Sequence, residues 1–191
     1  MLLRGIRAGA IASQQPGARK AELEREMGSS LRKSVHLVSD PENLDASVEE
    51  VFRMMLGVEC VRTGQGRSAA GQAELESVTA VVGFGGMLSG ACVFRSGASV
   101  AMKVAAKMTG MQFNEVDDTV KDGIGEICNM LAGTWKGRVP GLAAHCGLSV
   151  PAIITGRDYD LHVQAPEFQL EHTYRFDDAF FAVTIVCDSL Q

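Results

Sequence analysis

Glu126 and Asn129 stand three residues apart within Asp122-Gly-Ile-Gly-Glu126-Ile-Cys-Asn129-Met-Leu-Ala-Gly133. On a helix that spacing makes two side chains neighbours on one face. At about 100° per residue, Asp122, Glu126, Asn129 and Gly133 fall on one stripe, and Val120, Ile124, Ile127 and Leu131 fall roughly opposite. The apolar side can be buried while a carboxylate and a primary amide point outward. Asn is mildly and Gly more clearly unfavourable in a helix interior, so the stripe reads as a surface built for contact. Gly133 would let another protein's backbone come close.

These residue types limit the chemistry. An amide has no proton equilibrium near neutrality and cannot be a general base. It can accept and donate at once, which suits holding a water in a fixed direction. Glu126 can pair with a partner's cation. Two groups on an open face make no pocket of their own, so a reaction would take place in a partner's site. The plain alternative is a solvated helix face carrying an Asn by chance.

Other chemistry finds less support. His36, His145, His162 and His172 are isolated, with no H-x-x-x-H or H-E-x-x-H. Cys60, Cys92, Cys128, Cys146 and Cys187 are scattered and odd in number, which argues against a disulfide framework or a zinc site. Buried thiols in a reducing compartment are expected, Cys128 among them. Neither Gly83-Phe-Gly-Gly86 nor Gly123-Ile-Gly125 has phosphate-loop spacing. Met54, Met55, Met108 and Met130 read as core filler.

The elements that position the stripe follow from periodicity. A helix is expected after Leu44, capped by Asp45 or Ser47, with Val48, Val51, Phe52, Met55 and Leu56 as its apolar face. Gly64 to Gly71 reads as a flexible break. Ser77–Gly83 and Ser89–Arg95 read as a hairpin, Ser99–Met108 as a helix ended by Gly110, and Asp117–Trp135 as the helix bearing the stripe. Strands are expected at Ala144–Ile154, Asp160–Val163, Phe168–Phe176 and Ala179–Cys187, the last one central. Hairpins with helices between them give an α+β domain on a largely antiparallel sheet.

The chain has 191 residues, 46% hydrophobic and 21% charged, as one soluble domain with some extra sequence would. No apolar run is long enough to cross a bilayer. Residues 1–35 hold seven Lys/Arg against three Glu, whereas the remainder holds 11 against 20 acidic residues. An acidic body argues against nucleic acid as the main partner. Residues 1–44 lack periodicity and are expected to be a disordered tail, with the folded domain spanning 45–191. The acid-free first twenty residues resemble a transit peptide, and Met27 offers an alternative start; both readings stay open, and the domain itself is expected to be cytoplasmic.

Asp122-x3-Glu126-x2-Asn129, followed by Pro151, resembles the signature of the CheC/CheX/FliY chemotaxis phosphatases. With one such motif and this order of elements, the chain is most similar to the CheX branch, from Ser47 to the C-terminal strand. Pro151 stands one residue nearer Asn129 than the family spacing. The resemblance implies a CheC/CheX-like fold and dephosphorylation of the phospho-aspartate of a CheY-like response regulator. Glu126 and Asn129 would be the catalytic pair, Asn129 orienting the attacking water and Glu126 meeting the receiver's lysine. Asp122, Glu126 and Gly133 would contact the partner. Mg²⁺ would be held by the receiver, so no metal or cofactor of the chain's own is expected. A homodimer through an edge strand is implied, with residues 168–175 as the chosen edge. The competing readings are a non-catalytic module binding a receiver or a flagellar-switch component, and an inactive scaffold.

Overall fold

Asp40 caps the helix that begins at Pro41: its carboxylate accepts from the Glu42 backbone N–H, and Pro41 fills the first turn, where its missing N–H costs nothing. The computed structural model describes residues 38–65, 77–157, 159, 161–162 and 166–190, with Lys20 and Arg25. Helix α1 spans Pro41–Leu56 and ends on Gly57, whose φ of 66° suits a residue without a Cβ. The order continues β1 (Val61–Gln65), β2 (Ser77–Gly86), β3 (Leu88–Gly97), α2 (Ala98–Thr109), α3 (Asp118–Arg138) and α4 (Leu142–His145). It closes with β4 (Cys146–Leu148), β5 (Ala152–Gly156), β6 (Phe168–Phe176) and β7 (Ala179–Leu190).

The strands form one antiparallel sheet in the order β1-β6-β7-β3-β2-β4, and β5 pairs with β2 beyond β4 along the same edge. Helices α1 and α3 meet across the face that carries the core. Phe52 of α1 stacks on Phe181 of β7 with ring centroids 4.5 Å apart, and Phe94 of β3 lies 5.2 Å from Phe181. Trp135 of α3 packs on Phe84 of β2. Burying such aromatic rings supplies a large share of a core's hydrophobic stabilisation. The expected α+β architecture on an antiparallel sheet is the one observed, and β7 is central.

Several sequence expectations change. Helix α1 starts at Pro41, a turn before Asp45, because Asp40 takes the capping role; Val38 is already fully buried. Gly64 belongs to strand β1 and not to a flexible break, and residues 66–71 of the expected break lie outside the described residues. So does most of the 1–44 tail. The single strand expected over Ala144–Ile154 is instead a short helix, two short strands and a kink at Ser149–Pro151. Lys136 explains part of this: its Nζ donates to the carbonyls of Ala143 (3.0 Å) and Cys146 (2.7 Å), which holds the chain turned at the end of α3. Leu161 and His162 are not in a strand, and Asp160 and Val163 lie outside the described residues.

The choice of residues 168–175 as a free edge is also overturned. Strand β6 is paired on both sides, with β1 and with β7. Its alternation arises because Gln169 and Arg175 are exposed while His172, Tyr174 and Phe176 face the core. Among the described residues the edges are β1 on one side and β4 with β5 on the other.

Candidate functional site

Asp117 starts the helix that carries the motif, its Oδ1 accepting from the Val120 N–H at 2.9 Å. Asp118 follows in the first turn, where a carboxylate meets the positive end of the helix dipole, and Lys121 pairs with it at 2.9 Å. That pairing raises the Lys121 ammonium's affinity for its proton. Val120, Ile124, Ile127, Cys128, Leu131, Ala132 and Trp135 are all buried. Helix α3 touches α1, α2 and strand β2, so its backbone is held from several directions.

On the opposite side Asp122 and Glu126 are exposed, and Asn129 and Gly133 are half-buried. The structure therefore brings the four expected residues onto one face. Among the described residues, neither Glu126 nor Asn129 makes a side-chain hydrogen bond or ion pair. A carboxylate and an amide without partners of their own, one helical turn apart on a fixed backbone, can each offer their hydrogen-bonding capacity to something else. Glu126 offers only acceptors; Asn129 offers an acceptor and two donors. The pair can grip a cation and aim a water.

Three glycines shape the flanks. A Cβ placed on Gly123 would lie 3.6 Å from Met108 Sδ and 3.7 Å from Ala105 Cβ, so α2 packs closely on that side. On Gly125 it would lie 3.3 Å from Pro151 Cβ and 3.4 Å from Ile153 Cδ1. On Gly133 it would meet Leu148 Cδ1 at an ordinary 3.9 Å. Gly133 is thus the more open position. Gly125, which has no phosphate-loop role, is where Pro151, just ahead of β5, and Ile153 within it close on the helix. The loop that brings Pro151 there is pinned to β2: Ser149 N–H donates to Gly83 O at 2.9 Å, and Gly83 N–H donates to Ser149 Oγ at 2.8 Å.

Cys128, next to Asn129, is fully buried, its thiol pointing to the carbonyls of Ala80 and Cys92 at 3.5 Å. Contact with that thiol, and then burial, raises the Cys92 thiol well above its ordinary pKa. Thiols buried away from water are usually inert, so the sulfur beside the motif is packing. Among the described residues no group of three or more His, Cys, Asp or Glu could hold a metal. No described helix is long and apolar enough to cross a membrane.

A second polar cluster went unnoticed in the sequence. Asp45 Oδ1 accepts from the Tyr174 hydroxyl at 2.8 Å and lies 2.9 Å from His172 Nδ1, and Asp45 Oδ2 pairs with Arg62 at 2.9 Å. Burial and the Asp45 carboxylate push the Tyr174 phenol far above its usual range. The cluster fastens α1 and β1 to β6. Asp45 lies 127 and 129 residues from His172 and Tyr174 in the chain, so no local pattern announces the cluster.

Known proteins resemble this chain in sequence and in fold. The family model described as "Chemotaxis phosphatase CheX" matches residues 78–172. The CheY-P phosphatase CheX of Thermotoga maritima is 32% identical over 116 residues, covering 60% of this chain and 74% of the relative. Among solved structures, the chemotaxis protein CheX of Vibrio vulnificus superposes with a TM-score of 0.65 at 17% identity, over 77% of this chain and 95% of that one. The CheX of Borrelia burgdorferi, solved in complex with CheY, BeF3 and Mg²⁺, gives 0.61 at 21% identity, over 78% and 97%. The fold is shared with both, and by its sequence the chain belongs to the CheX family of chemotaxis phosphatases.

Proposed function

We propose that this chain hydrolyses the aspartyl phosphate of a CheY-like response regulator, with Asn129 and Glu126 as the groups it contributes. The observation that carries the reading is the partner-free carboxylate and amide on the outer face of α3, whose inner face is fixed in the core. The Thermotoga relative, a CheY-P phosphatase by name, supports the reaction class. The Borrelia relative, solved with CheY and Mg²⁺, supports the partner and a metal that comes with it.

An acyl phosphate is intrinsically labile, so the catalyst's task is mainly positional. Water attacks phosphorus, the new P–O bond forms, and the aspartyl carboxylate leaves. Asn129 accepts a hydrogen bond from that water and aims its lone pair in line with the bond that breaks. Fixing this geometry removes part of the entropic barrier. An amide orienting water for attack on phosphorus has a counterpart in the glutamine of GTPases. Glu126 pairs with the receiver's active-site lysine, and Asp122 adds negative charge to the same face. Receiver backbone approaches the stripe at Gly133. The receiver holds the Mg²⁺ that neutralises the phosphoryl oxygens.

The free thiols suit a reducing cytoplasm, where we place the reaction. The direct test is to incubate the protein with phosphorylated CheY-like receivers and follow phosphate release. Release no faster than the receivers' own would reject catalysis, and retained binding without release would favour a docking module.

A further inference from the structure

Val150 is the most exposed large hydrophobic side chain of the described residues, at 85%. It is not on a loose loop. Ser149 before it is bound to Gly83 through both backbone and hydroxyl, and that hydroxyl also donates to the Val150 carbonyl at 2.9 Å. Pro151 after it is packed against Gly125, the residue preceding Glu126. A rigidly presented apolar side chain therefore stands at the rim of the motif.

The surrounding sequence adds an independent observation. Residues 139–156 contain no Asp, Glu, Lys or Arg, in a chain that is 21% charged overall. Within that stretch Pro140, Ala143, Ala144, Gly147, Ser149 and Ala152 are exposed. In the same stretch Pro151 and Ile153 pack on Gly125 and Leu148 faces Gly133, so Glu126 stands beside a neutral segment with one valine projecting from it. Interface centres are depleted of charge in this way, with polar contacts around them.

We infer that Val150 is an apolar anchor for the receiver domain, setting affinity and partner choice while Asn129 and Glu126 act on the phosphoryl site. This rests on the proposed reaction. Any receiver that brings its aspartyl phosphate to Asn129 comes within a few residues' span of Pro151. The receiver surface that meets Val150 is expected to be apolar, next to the lysine that meets Glu126. Because the loop is already ordered, little conformational entropy is lost on contact.

The test uses the full chain and a CheY-like receiver that the unmodified protein dephosphorylates, scanned over receiver concentration. Val150→Asp is expected to raise KM about tenfold or more, in keeping with the worth of one buried valine, and to leave kcat within about twofold. Val150→Ala should give a smaller rise. Val61→Asp, at the opposite edge of the sheet, should leave KM unchanged. Fluorescence of the single, buried Trp135 confirms that each variant is folded. An unchanged KM in Val150→Asp, with Asn129→Ala inactive, overturns the anchor and spares the phosphatase reading. A change in self-association with no change in KM shows a contact between copies of this chain and also overturns it. No acceleration of phosphate loss by the unmodified protein, over a full panel of receivers, removes both.

Discussion

Pro151 rests on Gly125, so closely that an alanine Cβ there would lie 3.3 Å from the proline Cβ and 3.4 Å from Ile153 Cδ1. That distance is tighter than comfortable packing, and the loop is pinned to Gly83. Gly125→Ala should therefore gain helix propensity and lose it again to strain, with little net change in stability. Its phosphatase activity should fall several-fold as the Ser149–Pro151 loop shifts.

Gly133→Ala makes the informative contrast. Its new methyl meets only Leu148 at 3.9 Å, so the gain from replacing a helical glycine should survive. We expect about 0.5–1 kcal/mol and a rise in Tm of about 2–4 °C, measured by calorimetry. If a receiver backbone approaches this position, the same variant should bind its receiver more weakly. A stability loss would show that the position is closed.

Asn129→Ala should lower kcat about 100-fold while receiver affinity stays close to normal, because aiming water matters only in the transition state. Glu126→Ala should weaken receiver binding about tenfold. Glu126→Lys should weaken it more, since like charges then face each other. Stopped-flow phosphate release and titration of an activated receiver separate the two effects. Equal losses of kcat in all three variants would contradict the division of roles.

The motif helix was legible because its buried residues recur at helical spacing and its polar residues share the other face; Ile124, Ile127 and Leu131 are buried as that period demands. The hairpin and β7 were legible for similar reasons. Strand β1 was not, since Val61, Arg62, Thr63 and Gly64 are all exposed and it owes its existence to pairing with β6 more than 100 residues away. The kink at Ser149–Pro151 depends on Gly83 and Gly125, and the burial of His172 depends on Asp45. Such long-range contacts leave no periodic trace, so the stripe could be read but not the loop that frames it.

The start of the folded unit gives a sharper prediction than composition allowed. Val38 is fully buried and Asp40 caps α1. A chain beginning at Leu44 loses both. The cap is worth about 1 kcal/mol and the valine about 1.5–3 kcal/mol. Urea denaturation should therefore find a chain starting at Leu44 less stable by about 2–4 kcal/mol than one starting at Ser34, which should keep full activity. Equal stability of the two would show that this segment adds nothing.

Two thiols predict an alkaline limit. Burial first, then neighbouring carboxylates, pushes Cys60 from 9.0 up to about 12, and Cys187 likewise. The unfolded chain releases these protons at lower pH than the folded one. Their contribution to stability is therefore complete below about pH 9 and is lost as pH rises from there toward 12. The urea midpoint should fall across that window, and Cys60→Ala and Cys187→Ala should each flatten the fall. A midpoint with the same alkaline slope in both variants would contradict the assignment.

Finally, the protein should self-associate through β1. Among the described residues the sheet is open, with β1 at one edge and β4 and β5 at the other. Open edges expose unpaired N–H and C=O groups that invite another strand. The β5 edge adjoins the loop carrying Val150, so pairing there would crowd the face that meets the receiver. Pairing β1 with its copy about a two-fold axis closes the assembly at two subunits and leaves both motif helices free. Val61, 56% exposed on β1, would lie in that contact. Sedimentation at micromolar concentration should therefore give a dimer, and Val61→Asp should shift it toward monomer while each site keeps its kcat. A clean monomer for the unmodified protein would remove the prediction; a dimer insensitive to Val61→Asp would move the contact to the other edge.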